Sequence, residues 1–313
     1  MPDLDPAGRR AYQRFTRQNH PRAFALGSDG RWGAAWGQAS PAAAEAAALA
    51  HCREGGAQGC TLYALDNALV WTGREWAPPP PPGRLAGGRA FELVPDGRYL
   101  WWGAAGAAGA YVWAHDLSAG FDSRGQQPPP QLRWFNNAGF DVMRFDRHPN
   151  GDAPDRAAGW LRESLLALRA AGYRLLVVGG QGRGGWNALM MLAEPGLTDA
   201  VVAMAPTRHG DGALADPNDP RPAQDFQELL AQVADRRARV VIAAFAGDAA
   251  LPDPAAQSAR VSALLVPRAA AVLSIDRPYG FEGHGVGRTW RFSDAYGGCI
   301  FRFVTAAAPP AGC

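Results

Sequence analysis

The chain has 313 residues, 47% of them hydrophobic, which is enough for one large domain with a smaller one beside it. Its formal net charge of +2 argues against nucleic acid or an anionic membrane surface as the main partner. No apolar run approaches the roughly eighteen residues that span a bilayer, so the sequence predicts no membrane span.

Four cysteines fall into two local pairs, Cys52 with Cys60 and Cys299 with Cys313. Neither pair has C-x-x-C spacing and no histidine cluster accompanies them, so we expect no metal site and no cofactor. An even number in close pairs predicts two disulfides and an oxidising compartment, the periplasm or the exterior, reached by means of a leader that has been removed. Four buried free thiols in a cytosolic protein are the alternative.

Residues 1–76 are predicted to form a small α+β unit. The pattern indicates a polar helix over 7–20, strands over 22–26 and 31–36, an alanine-rich helix from Ser40 and a strand over 60–65. The result is a ββαβ unit with a Cys52–Cys60 bridge. Its aromatic residues are expected in its core, with a sugar or polymer platform as the alternative. The five prolines of 78–82 make 77–89 a stiff linker.

The sequence pattern over residues 90–313 predicts strands that alternate with helices. Strands are predicted over 98–102, 110–113, 140–145, 175–178, 200–204, 240–245 and 270–275, and helices over 131–138, 157–171, 187–192, 226–234 and 255–264. This alternation predicts a mostly parallel sheet covered by helices on both faces. In such sheets functional sites form at the carboxyl ends of the strands, so the loops after 113, 180, 245 and 275 should converge.

One of those loops, after the strand over 175–178, is a glycine turn that leads into a helix. Gly180 and Gly184 fit the outer positions of the nucleophile-elbow pattern G-x-S-x-G, but Gly182 stands in place of the serine. A phosphate-binding loop is the alternative for these glycines, and it lacks the Lys-Ser/Thr that such a loop requires.

Two further loops supply an acid and a base. Asp248 follows the strand over 240–245, and His284 follows the strand over 270–275 between two glycines, where a histidine is poorly placed for core packing. The order of elbow, acid and base along the chain is that of the Ser, Asp and His triads on α/β-hydrolase sheets. Asp253 lies close enough in sequence to be the acid instead.

Over roughly residues 90–305 the sequence therefore resembles the α/β-hydrolase superfamily, and in particular bacterial serine hydrolases whose elbow reads G-Q-S-R-G-G-W. The resemblance implies that Asp248 orients His284, which acts as general base and then as acid. It also implies an oxyanion hole made by the backbone N–H of Arg183 and by a second N–H at Asp116 or Leu117. Family members often carry His-Gly there, whereas this chain has His115 before Asp116.

The resemblance further implies a serine hydrolase that cleaves a carboxylic ester, less readily an amide, of a small molecule or polymer through an acyl-enzyme. We expect His115, Trp186 and His209 to lie at the substrate site, with His115 shaping the oxyanion loop. Helix packing is the alternative for Trp186, and exposure to solvent is the alternative for His209. Glycine has no side chain, so the chain as written cannot form an acyl-enzyme at Gly182. The sequence favours an engineered serine-to-glycine replacement; a natural, non-catalytic binding protein with an α/β-hydrolase fold is the alternative.

Overall fold

The computed structural model describes residues 4–117, 121–150, 152–208, 221–251 and 253–313. It contains a small antiparallel sheet near the amino terminus and a larger, mostly parallel sheet of eight strands flanked by helices. The predicted fold class is therefore confirmed.

The small unit is a four-stranded antiparallel sheet in the order β2-β1-β3-β4 with two helices. Its elements are α1 (Pro6–Phe15), β1 (Ala23–Leu26), β2 (Trp32–Ala35), α2 (Pro41–Glu54), β3 (Thr61–Leu65) and β4 (Ala68–Leu69). Ser40 caps α2 by accepting a 3.1 Å hydrogen bond from the Ala43 N–H. A Cβ at Gly33 would lie 2.5 Å from the Ala48 carbonyl oxygen, so only glycine lets α2 rest this closely on β2. The Cys52–Cys60 disulfide joins the end of α2 to the residue before β3.

The large sheet has the strand order β12-β11-β10-β9-β7-β8-β6-β5. Its strands are β5 (Ala86–Gly87), β6 (Phe91–Pro95), β7 (Gly109–Ala114), β8 (Phe140–Arg147), β9 (Leu176–Gln181), β10 (Ala200–Met204), β11 (Arg239–Ala244) and β12 (Ala271–Asp276). The adjacent strands β8, β7, β9, β10, β11 and β12 all pair in parallel. At the other edge, β6 pairs antiparallel with β8, and β5 pairs antiparallel with β6. The carboxyl ends of β7, β9, β11 and β12 therefore lie along one edge.

Helices cover both faces of this sheet. They are α3 (Leu132–Asn136), α4 (Pro154–Ala170), α5 (Arg183–Met190), α6 (Arg221–Ala231), α7 (Pro254–Arg260), α8 (Trp290–Phe292) and α9 (Gly298–Thr305). Val178 points into the core under α4 and α5, and its neighbour Val177 points into the opposite core under α3 and α9. A sheet buried on both faces explains why its central strands are almost wholly apolar.

The predicted strand over 98–102 is wrong. This segment is a turn in which the Asp96 carboxylate accepts hydrogen bonds from the backbone and guanidinium of Arg98. Asn136 bonds both backbone groups of Leu100, so side chains satisfy groups that a strand would have paired. The carboxyl-terminal helix α9 was not predicted, and the Cys299–Cys313 disulfide ties the last residue to it.

Both predicted disulfides are thus present, and together they suggest an oxidising compartment. Among the described residues, no helix combines the length and apolar character that crossing a membrane requires.

Candidate active site

The site is built around the turn from β9 into α5. Gly182 has φ 51° and ψ −116°, a conformation that L side chains adopt only under strain. The turn is tight: a Cβ at Gly184 would lie 2.6 Å from the His115 carbonyl oxygen and closer still to that of Ala114. A Cβ at Gly180 would overlap the backbone of Gly184. The outer glycines of the elbow pattern are therefore required by packing between β9, α5 and the end of β7.

The predicted acid and base lie together beside this turn. Both carboxylate oxygens of Asp248 are 2.9 Å from Nδ1 of His284. The Asp248 side chain is fully buried, and its Oδ1 also accepts a 2.9 Å bond from the Ala250 N–H. Asp253, the alternative acid, instead caps α7 by accepting a 2.8 Å bond from the Ala256 N–H. Of the two candidate acids, Asp248 is thus the one that contacts His284.

Backbone and side-chain contacts hold the histidine loop in place. The Gly283 N–H donates 2.8 Å to the Ala246 carbonyl, which joins this loop to the one that carries Asp248. The Gln181 amide, next to the elbow, donates 2.6 Å to the His284 carbonyl. Sequence reasoning did not single out Gln181; its place directly before the nucleophile position was the available signal.

Asp116, in the segment just after β7, fills the space beside Gly182 with its carboxylate. Oδ1 accepts 2.8 Å bonds from the backbone N–H groups of Arg183 and Leu117, and Oδ2 lies 2.8 Å from Nε2 of His284. The N–H groups of Arg183 and Leu117 are two of the predicted oxyanion-hole donors, for which the N–H of Asp116 was the alternative to that of Leu117. The donors expected to serve a substrate therefore converge on a side chain of the protein itself.

A serine side chain at position 182 would compete with this carboxylate. A Cβ built on Gly182 lies 2.5 Å from Oδ2 of Asp116, and closer to its Oδ1 and Cγ. A Cβ atom does not approach a non-bonded oxygen or carbon this closely, so a side chain at position 182 requires the Asp116 carboxylate to move. Gly182 and Asp116 are complementary: glycine leaves the volume that the carboxylate occupies. We expected Asp116 to contribute its backbone only, and the missing Cβ at Gly182 was the sequence signal for its side chain.

The charges around His284 favour its protonated form. Burial lowers the pKa of His284, but the hydrogen bonds and negative charges of Asp116 and Asp248 outweigh burial and raise this pKa to about 10. At neutral pH both ring nitrogens therefore carry protons, each donated to a carboxylate. An imidazolium cannot accept a proton, so His284 is no general base while Asp116 stays in place.

His115 holds the segment that carries Asp116 in place. It is buried, its Nδ1 lies 2.6 Å from the Asp116 carbonyl oxygen, and its Nε2 accepts a 3.0 Å bond from the Arg147 N–H. Burial and the positive charge of Arg147 lower the pKa of His115 to about 3, so its ring is neutral. Arg147 is itself buried against Asp152 at 2.9 Å. His115 thus fixes the backbone that presents Asp116.

The other predicted substrate contacts lie in different settings. Trp186 is buried in the core against Phe226, with ring centroids 6.1 Å apart. The guanidinium of Arg183 is buried, and its one hydrogen bond to a described residue is a 3.4 Å contact with the Asp152 carbonyl. His209 lies outside the described residues. Among the residues that are described, no group of histidine, cysteine and acidic side chains could hold a metal ion.

Comparisons with known proteins give one family match in the small unit and several similar solved structures. Residues 22–70 match the profile of a domain of unknown function, DUF4189. No protein of curated function matches the sequence. Solved structures similar to this chain include an esterase of Pyrococcus furiosus, with 11% identity and a TM-score of 0.45 over 67% of this chain and 84% of the esterase.

Two other hydrolases are similar over slightly less of the chain. A putative dienelactone hydrolase of Klebsiella pneumoniae has 16% identity and a TM-score of 0.45 over 64% of this chain and 89% of its own. A monoacylglycerol lipase of Paleococcus ferrophilus has 14% identity and a TM-score of 0.43 over 64% of this chain and 95% of its own. These three structures are an esterase, a putative hydrolase and a lipase, and identities this low carry no information about the activity of this chain.

Proposed function

We propose that this chain retains the acid, base and backbone donors of a serine ester hydrolase but forms no acyl-enzyme, because glycine occupies the nucleophile position. The observation that carries this proposal is the convergence of His284 Nε2 and the N–H groups of Arg183 and Leu117 on one carboxylate. A carboxylate held by two backbone donors and an imidazole resembles the product acid of ester hydrolysis. The parent activity is cleavage of a carboxylic ester, less readily an amide, in the periplasm or outside the cell.

The setting of Asp116 bears on the origin of Gly182. A single engineered serine-to-glycine replacement leaves the volume of the serine side chain free. Here that volume is filled by the side chain of Asp116, from the segment after β7, which makes three hydrogen bonds in its position. A carboxylate at the end of a side chain can rotate into a freed volume, so the engineered glycine that the sequence favours stays a prediction, with a natural glycine as the alternative.

A second candidate function is that of a non-catalytic binding protein with the same fold. The observation that favours it is the position of His284 between the carboxylates of Asp116 and Asp248, which raise its pKa and so oppose a role as general base. The two candidates differ in what happens when a serine is placed at position 182 and the Asp116 carboxylate is removed. A hydrolase site then becomes reactive towards esters, whereas a site that only binds does not.

The test uses Gly182→Ser, Asp116→Gly and the double variant of both. We expect only the double variant to react with a fluorophosphonate and to hydrolyse short p-nitrophenyl esters, at least ~10³-fold faster than either single variant. Gly182→Ser alone stays unreactive because the Asp116 carboxylate blocks its hydroxyl, and Asp116→Gly alone has no nucleophile.

A third substitution, His284→Ala in the double variant, controls for reaction at other serines and should abolish labelling. All variants are compared by circular dichroism to establish that they are folded. A folded double variant that stays unlabelled between pH 6 and 9 refutes the hydrolase proposal and leaves the binding protein.

A further inference from the structure

The catalytic groups of this site are aimed at one carbon of the protein itself, Cγ of Asp116. Both backbone donors bind Oδ1, where a negative charge develops when a nucleophile adds to Cγ. The imidazole of His284 stands on the other side, at Oδ2, and Asp248 orients it. Groups in these positions are suited to hydrolysing an ester of Asp116.

We propose that Asp116 is the nucleophile of this protein and that it opens an uncharged epoxide through an ester on Oδ2, which His284 and the two backbone donors then hydrolyse. This proposal goes beyond the loss of serine chemistry, since it assigns the chain a different reaction at the same place. Carboxylates serve as covalent nucleophiles in other hydrolases.

The electrophile is an epoxide carbon for reasons of charge and reactivity. Attack of a carboxylate on a carboxylic ester gives an anhydride, which is less stable than the ester it came from. Attack on an epoxide carbon gives an ordinary ester and an alkoxide, which requires a proton. The proton that His284 Nε2 donates to Asp116, across 2.8 Å, lies next to the attacking oxygen.

In the first step Oδ2 of Asp116 forms a bond to the epoxide carbon and the ring C–O bond breaks. The ring oxygen takes the Nε2 proton and becomes a hydroxyl, so His284 is left neutral. Asp116 loses its negative charge on esterification, and one of the two carboxylates that raised the pKa of His284 is gone. The same step therefore converts His284 into the base that the second step needs.

In the second step neutral His284 removes a proton from water as the water oxygen adds to Cγ of Asp116. The resulting charge on Oδ1 is stabilised by the N–H groups of Arg183 and Leu117. Collapse expels the substrate oxygen, which takes the proton back from His284 and leaves as a 1,2-diol. The Asp116 carboxylic acid then protonates His284, which restores the starting state with one epoxide and one water consumed.

The test follows oxygen from water into the protein. Wild-type protein is incubated with styrene oxide in heavy-oxygen (¹⁸O) water, and the peptide that contains Asp116 is examined by mass spectrometry. We expect phenylethanediol to form and ¹⁸O to accumulate in the Asp116 carboxylate. The proposal is refuted by the absence of diol. It is refuted equally by a diol that forms while the Asp116 peptide gains no ¹⁸O.

Two variants trap or remove the intermediate. His284→Gln should accumulate a protein adduct heavier by one styrene oxide, located on Asp116, because no base remains to hydrolyse it. Asp116→Asn should lose diol formation on the order of a hundredfold or more. Asp122→Asn is the matched control: Asp122 has an exposed carboxylate paired with Arg124, and its replacement should change neither readout.

The outcome is independent of the serine experiment. Labelling of the Gly182→Ser and Asp116→Gly double variant by a fluorophosphonate does not require carboxylate chemistry. Failure with styrene oxide beside success in that double variant refutes the nucleophile and leaves the proposed function standing.

Discussion

The two carboxylates at His284 should make the stability of this protein depend on pH in the alkaline range. The pKa of His284 is raised from 6.5 to about 10 in the folded chain, against burial, by Asp116 and Asp248. Because the folded value is the higher one, the stabilisation is fully present below pH 6.5 and is lost as the pH rises towards 10. Replacing Asp116 by asparagine removes one of the two charges with little change in shape.

The expected magnitude follows from the two pKa values of His284. With pKa values of 6.5 unfolded and about 10 folded, protonation of His284 contributes about 4 kcal/mol at pH 7 and about 1 kcal/mol at pH 9. The free energy of unfolding of the wild type should therefore fall by roughly 2 to 3 kcal/mol over this interval. In Asp116→Asn only Asp248 still favours the charged ring, so we expect less than about half of that decrease.

Urea unfolding at pH 7 and pH 9 measures this difference directly. Asp122→Asn serves as the control, because hydrogen bonds from Arg124 lower the pKa of Asp122 to about 2 and its carboxylate is charged at both pH values. Its substitution should leave the pH dependence unchanged. If Asp116→Asn loses as much stability between pH 7 and pH 9 as the wild type, Asp116 does not hold the proton on His284.

Three other predictions concern the framework of the site. Gly184→Ala should destabilise the fold by several kcal/mol in thermal unfolding, since its Cβ meets the His115 carbonyl at 2.6 Å, whereas Gly159→Ala, with open space around it in α4, should stabilise it by about 0.5–1 kcal/mol. Equal effects would show that the elbow is not tightly packed. Asp152→Ala should cost about 3–5 kcal/mol by leaving Arg147 buried without its partner, and a urea midpoint equal to that of the wild type would contradict this. Reduction of the disulfides, which close segments with separations of 8 and 14 residues, should cost about 2.5 and 3 kcal/mol; an unchanged melting temperature in dithiothreitol would disprove it.

The architecture could be predicted from the sequence because its signals are local. Short apolar strands such as 175–178, separated by amphipathic helices, indicate a covered parallel sheet. That sheet in turn brings loops distant in sequence to one edge, where Asp248 and His284 meet. The predicted strand over 98–102 failed because its backbone bonds are taken by the side chains of Asp96 and Asn136, a competition that strand periodicity does not reveal.

The role of the Asp116 side chain could not be predicted in the same way. In the family that the sequence resembles, this position provides a backbone N–H donor. The sequence therefore predicts a role for the N–H of Asp116 and none for its carboxylate. Whether that carboxylate turns toward the elbow depends on space beside Gly182 and on the direction of the N–H groups of Arg183 and Leu117. These are properties of three separate segments in contact, and the composition of no single segment encodes them.

The pairing of Gly182 with Asp116 also constrains how either position can be changed. A side chain added at position 182 meets the Asp116 carboxylate, and loss of that carboxylate opens space beside the turn. The effect of a substitution at either position therefore depends on the residue at the other, and the two have to be varied as a pair.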